Sequence, residues 1–172
     1  MALSEKKRQI IKNALYFAAV LIFFVMGEIP QFDPLIFKAI PVIPIVVSLS
    51  VLEGDMAGGI FGFIAGLMVD TYAAHIFGLA SVIFTVAGFL SGVLVTYLLQ
   101  NNMRTAFILT FALSSFYGII SFYVIYGMWQ VEGSVLMFAA RTVPTVAVTT
   151  LFAYPSYHLI RKIKTEVEER RR

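Results

Sequence analysis

Residues 58–70 read GGIFGFIAGLMVD, and within them Gly58, Gly62 and Gly66 recur at every fourth position, with Asp70 on the next step. Four-residue spacing stacks these positions along one side of a helix. The stretch predicts a groove free of side chains that ends in a carboxylate. Its neighbours are nearly all apolar, which puts the groove inside a membrane. There, glycines let a second helix backbone approach closely, and an ionisable group is costly enough to require a partner.

Composition points the same way. The chain has 172 residues, of which 59% are hydrophobic and only 13% charged, with a mean hydropathy of +0.86. Ordinary soluble domains carry about 25% charged residues. The uncharged runs 71–103 and 105–130 exceed the roughly 20 residues that a helix needs to cross the hydrocarbon core. Most of the chain is spent on crossings, so a single polytopic membrane domain over 1–172 is expected. With no cysteine, disulfides, thiolate metal sites and cysteine nucleophiles are excluded. A basic LSEKKRQIIK precedes the first apolar stretch, and the GEIPQFDP that follows it lacks a small-x-small cleavage site. An uncut anchor is expected rather than a signal peptide.

Six helices are predicted, over 11–27, 35–52, 56–74, 79–99, 105–128 and 134–160. Polar and proline-rich breaks separate them: Pro30, Asp33 and Pro34; Glu53-Gly54-Asp55; Gln100-Asn101-Asn102; and Trp129 to Gly133. Lys38, Pro41 and Pro44 mark the second segment as kinked or as crossing incompletely. With six crossings, Lys6, Lys7, Arg8 and Lys12 share a side with Arg104 and with Arg161, Lys162, Lys164 and the terminal arginines. The other side carries Glu28, Asp33, His75 and Glu132, with only Lys38 as a strong base. This is the positive-inside pattern, and it puts both termini in the cytoplasm. Five crossings would part the basic ends. The tail RKIKTEVEERRR is expected to continue the last helix as a solvated end that fixes orientation, contact with anionic lipid or with a cytoplasmic partner being the sharper alternative.

Of the charges within the predicted crossings, Asp70 and Arg141 lie deepest. Asp70 lies about 14 residues into the third helix and Arg141 about seven into the sixth, which places them roughly 21 Å and 10 Å from opposite surfaces. Those depths nearly coincide in a core about 30 Å thick. Each charge alone costs about 2.5–3.5 kcal/mol near a helix centre, so an Asp70–Arg141 pair is expected, acting chiefly as a packing clasp. The glycine ladder is expected to pack helices within the chain more than to recruit a second protein. Gly88 and Gly92 offer a second small pair. Pro144 and Pro155 predict bends in the sixth helix.

Catalytic apparatus is not legible. His75 and His158 fall near opposite faces, as an interfacial loop residue and a helix-end residue, and no metal-ligand spacing accompanies either. Phosphate loops, nucleophile elbows and zinc-helix signatures are absent from the sequence. No cofactor is expected. The basic residues form membrane flanks without a soluble aromatic surface, so no nucleic-acid partner is expected either.

The stretch PVIPIVVSLSVLEGDMAGGIFGFIAGLMVDTYAAHIFGLASVIFTVAGFLSG, residues 41–92, resembles the bacterial rod shape-determining protein MreD family. The likeness is carried by Pro41, Gly58, Gly62, Gly66-Leu67, Asp70, Gly78 and the Gly88–Gly92 region. It covers roughly the central third of the chain; the remainder agrees in length and hydropathy. The resemblance implies a bundle of six transmembrane helices similar to the substrate-binding subunits of energy-coupling-factor transporters. It implies a non-enzymatic subunit of the cell-elongation machinery in the bacterial cytoplasmic membrane. Its partners would be MreC and, indirectly, MreB and the peptidoglycan synthases, besides membrane lipids. The rival expectation is a substrate-binding subunit of a small-molecule transporter. Apart from Asp70, Arg141, Glu28 and Tyr72, the chain offers few polar anchors for a polar ligand.

Overall fold

A computed structural model describes residues 2–28, 40–72, 77–126 and 134–169. Among the described residues it contains seven α-helices and no strand: α1 (Ala2–Glu28), α2 (Val42–Glu53), α3 (Asp55–Tyr72), α4 (Leu79–Tyr97), α5 (Met103–Tyr126), α6 (Ser134–Leu151) and α7 (Ala153–Glu169). Only Phe152 parts α6 from α7, so the seven segments form six helical columns. The protein is all-α. Among the described residues three segments are long and apolar enough to cross a membrane: Glu5–Gly27, Leu79–Tyr97 and Met103–Tyr123.

The second helix departs most from expectation. Its described part is 12 residues long, about 18 Å at 1.5 Å per residue, well short of a core about 30 Å thick. Residues 35–39 lie outside the described set. Every side chain from Val42 to Leu52 is buried, and α2 packs against all six other helices. A helix apolar on every face belongs inside a protein or a bilayer; this one forms the centre of the bundle. Its prolines begin the helix rather than kink it. Pro41 stands at the N-cap and Pro44 in the first turn, where a missing N–H removes no intrahelical bond.

The surrounding helices turn one face to α2 and another outward. On α1, Tyr16, Ala19, Val20 and Phe23 are buried at the i, i+3, i+4, i+7 spacing of a core-facing stripe. Tyr16 meets Phe61 of α3 edge to face, with ring centroids 6.0 Å apart. The outward faces are apolar as well: Ile22 on α1, Phe63 on α3, Val86 on α4 and Phe111 on α5 are among the exposed large side chains. Soluble monomers rarely show apolar surface on so many helices. A lipid-facing bundle does so by necessity.

The predicted sixth helix is two helices. Pro155 has no N–H with which to reach the Leu151 carbonyl, and its ring crowds that turn. The chain breaks at Phe152, whose N–H reaches Val148 O at 3.4 Å and Thr149 O at 3.2 Å, and the ladder resumes with Ser156 N–H to Phe152 O. By contrast Pro144 sits inside α6 without ending it. The expected continuation of the last helix through the basic tail is present, since α7 runs to Glu169. His158 accordingly lies in the first half of α7 rather than at a helix end, its ring against Tyr154 with centroids 4.6 Å apart. His75, Trp129 and Glu132 lie outside the described residues.

Candidate functional site

The glycine ladder is an interface inside the chain. Helices α3 and α4 run antiparallel, in the most extensive contact of any helix pair. A Cβ added at Gly58, Gly62 or Gly66 would fall under 3.0 Å from a neighbouring atom, nearer than real Cβ atoms come. At Gly62 it would meet the Phe84 carbonyl, with the carbonyl carbon at 2.8 Å; at Gly66 it would meet Ser81 N at 2.6 Å and Ala80 O at 2.7 Å. Helix α4 reciprocates: Gly88 lies against the Gly58 carbonyl and Gly92 against the Asp55 backbone. Backbone packs on backbone along the whole hairpin. Gly59 has no such role, because its Cβ would meet Phe89 Cβ at an ordinary 3.6 Å.

A third helix joins where Gly58 and Gly88 meet. Ser50 of α2 donates its hydroxyl to the Gly88 carbonyl. A Cβ at Gly58 would overlap both Ser50 Oγ and that carbonyl oxygen. The absent side chain therefore leaves room for a hydrogen bond that ties α2 to the hairpin. Two residues earlier, on the other flank of α2, Ser48 and Ser156 of α7 bring their hydroxyls to 3.1 Å.

Asp70, the end of the ladder, is 4% exposed and fully engaged. Its Oδ1 accepts the Ala80 N–H at 2.9 Å, its Oδ2 accepts the Ser81 N–H at 2.8 Å, and the Ser81 hydroxyl donates to it as well. Ala80 and Ser81 occupy the first turn of α4, where backbone N–H groups have no intrahelical acceptor. The N-cap residue of α4 is Gly78, held at φ 98°, a left-handed conformation that glycine adopts without steric cost. It has no side chain with which to cap. Asp70 does so from the neighbouring helix, and its negative charge sits at the positive end of the α4 dipole. The Tyr117 ring of α5 packs on Phe84 of α4, with centroids 5.2 Å apart.

The expected partner, Arg141, has its side chain outside the described residues. Among the described residues α3 and α6 are not adjacent; α5 contacts α6 directly, with Gly118 beside Thr142. The partners the structure gives Asp70 are those at the start of α4. One cue for them is present in the sequence: a helix opening Gly-Leu-Ala-Ser has no acidic or amide cap of its own, so its donors require an acceptor from elsewhere.

A second polar cluster escaped sequence reasoning. Glu53, at the last turn of α2, pairs with Lys12 of α1 and accepts the Tyr16 hydroxyl at 2.9 Å. Lys164 of α7 lies 3.6 Å from the same carboxylate and donates to the Leu52 carbonyl. Glu53 is only 11% exposed, and the two lysines are 23% and 29% exposed. The lysine on α7 thus closes the C-terminal end of α2, where free carbonyls and the negative end of the dipole favour a cation. The cluster fastens three helices at one end of the bundle. The turn at Gly54, with φ 97°, belongs to that end, as does the last turn of α4 through the Gly92–Asp55 contact. Asp70 and the start of α4 lie at the other.

Comparison of this chain with protein-family models, with curated proteins and with solved structures gives no match. The site therefore stands on its own geometry, which offers a packed helical hairpin, a capping carboxylate and an ionic clasp. All three arrangements hold backbone in place.

Proposed function

We propose that the protein is a multi-pass bacterial cytoplasmic-membrane subunit of the MreD type, with six crossings and both termini in the cytoplasm. In this reading it is non-enzymatic: it binds MreC and supports lateral peptidoglycan synthesis and cell shape as part of the elongation complex. The observation that carries the reading is the α3–α4 hairpin. Of the residues on which the resemblance rests, Gly58, Gly62, Gly66, Asp70, Gly78, Gly88 and Gly92 serve one interface, which they free of side chains, cap or turn into, while Pro41 begins α2. A likeness distributed over one structural device is harder to obtain by chance hydropathy than scattered glycines. The filled centre of the bundle, occupied by the buried α2, also suits a packing and scaffolding role.

Affinity purification of the tagged protein from native membranes tests the proposal. Co-recovery of MreC and wall synthases is the expected result. Recovery with an ATPase-linked transport module instead would favour a substrate-binding subunit of a small-molecule transporter and overturn the scaffold reading.

A further inference from the structure

The clasp at Glu53 has gathered cations from distant parts of the sequence. Lys6 and Lys7 lie about two turns before Lys12 on α1, and Arg161 and Lys162 lie within a turn of Lys164 on α7. Because Lys12 and Lys164 share Glu53, both flanks are held at the same end of the bundle. Arg104, in the first turn of α5, joins them, since α5 follows the end of α4 that packs on Asp55. All five of these cations are exposed. Among the described residues, exposed acids at this end are fewer, with Glu5 on α1 and Glu166 on α7.

Large apolar side chains are exposed at the same end of the bundle. Ile10 is 67% exposed on α1, while Tyr97 and Leu98 are 78% and 77% exposed at the end of α4. A surface meeting only water would not hold such groups next to lysines, and one meeting only hydrocarbon would not hold the lysines. Cations interleaved with an aromatic and branched aliphatics match the boundary between headgroups and acyl chains, where apolar parts sink and charges reach phosphate.

We propose that this end of the bundle binds the headgroups of anionic phospholipids, with Lys6 and Lys7 on one flank and Arg161 and Lys162 on the other. The Glu53 clasp sets the spacing of the two flanks. Charge complementarity selects anionic over zwitterionic lipid, and the exposed apolar residues select a leaflet over a soluble anion or an acidic protein. The inference rests on membrane insertion and not on the proposed role in wall synthesis, so either can fail without the other.

The test is lipid retention by the full chain. The protein is reconstituted into vesicles of equal phosphatidylcholine and phosphatidylglycerol, extracted in mild detergent, and the lipids that remain bound are quantified. Phosphatidylglycerol should be retained in several-fold excess, and Lys6→Gln, Lys7→Gln, Arg161→Gln and Lys162→Gln combined should bring the ratio to parity. Equal retention by the unaltered protein, or an undiminished excess in the fourfold variant, overturns the proposal. At matched ionic strength, added inorganic phosphate should leave the preference intact; its loss would assign a soluble-anion site instead. Should the fourfold variant fail to fold, the unaltered protein still decides. Salt raised to about 1 M, where the screening length falls to about 3 Å, should abolish the preference, and its persistence there counts against headgroup binding.

Discussion

Asp70 shows how a costly residue becomes an asset. A carboxylate buried among apolar helices is penalised unless it is hydrogen-bonded, and here it replaces a missing cap by accepting two backbone N–H groups and a hydroxyl. Replacing it with alanine leaves all three donors buried without an acceptor. Hydrogen bonds to charged groups contribute about 1.5–3 kcal/mol, so Asp70→Ala should lower the stability of the folded protein by at least that much. Ser81→Ala removes one donor and leaves the two backbone bonds intact, for about 1 kcal/mol. Thermal melting in detergent should rank the two variants in that order. Equal losses would mean that the backbone bonds of α4 do not depend on Asp70. The sequence made Asp70 conspicuous but named its partners only indirectly, through the uncapped Gly-Leu-Ala-Ser opening of α4, because two of the three donors are backbone N–H groups.

At the scale of elements, much of the architecture could be read in advance. Hydropathy located all six columns, since the breaks at Glu53-Gly54-Asp55 and Gln100-Asn101-Asn102 are polar and sharp. The small residues at Gly88 and Gly92 pointed to α4 as a close-packed helix. Two features were hidden. Lys38, Pro41 and Pro44 left the second segment either kinked or crossing incompletely, because sequence alone did not show that α2 begins beside the two prolines. The Glu53 clasp joins residues separated by 41 positions on one side and by more than 100 on the other, and nothing in local spacing records that. The clasp carries its own prediction. Its groups are partly buried, so its worth falls between the roughly 0–1 kcal/mol of surface pairs and the 3–5 kcal/mol lost on breaking buried ones. Glu53→Gln should cost about 1–3 kcal/mol on that scale and should speed hydrogen exchange in the second half of α7 relative to α3. Unchanged exchange in α7 would show that Ile160 and its neighbours hold the helix without the ion pairs.

The whole molecule is a bundle wrapped around a short interior helix and drawn together by one backbone-close hairpin. The proposed six crossings set both termini on the cytoplasmic side. In this cysteine-free chain, cysteines introduced singly at Ser4 and at Glu169 should both resist an impermeant thiol reagent in intact cells; labelling of one alone would require an odd number of crossings. The hairpin is tested most directly by the same substitution at two neighbouring glycines. Gly→Ala in a helix interior gains about 0.5–1 kcal/mol where space allows, and Gly59 has that space, with Phe89 Cβ at 3.6 Å. At Gly62 the methyl group meets the Phe84 carbonyl, and such overpacking costs about 1–3 kcal/mol. Thermal unfolding in detergent should therefore place Gly59→Ala at or above the unaltered protein and Gly62→Ala clearly below it; equal midpoints for the two variants would contradict a backbone-close α3–α4 interface.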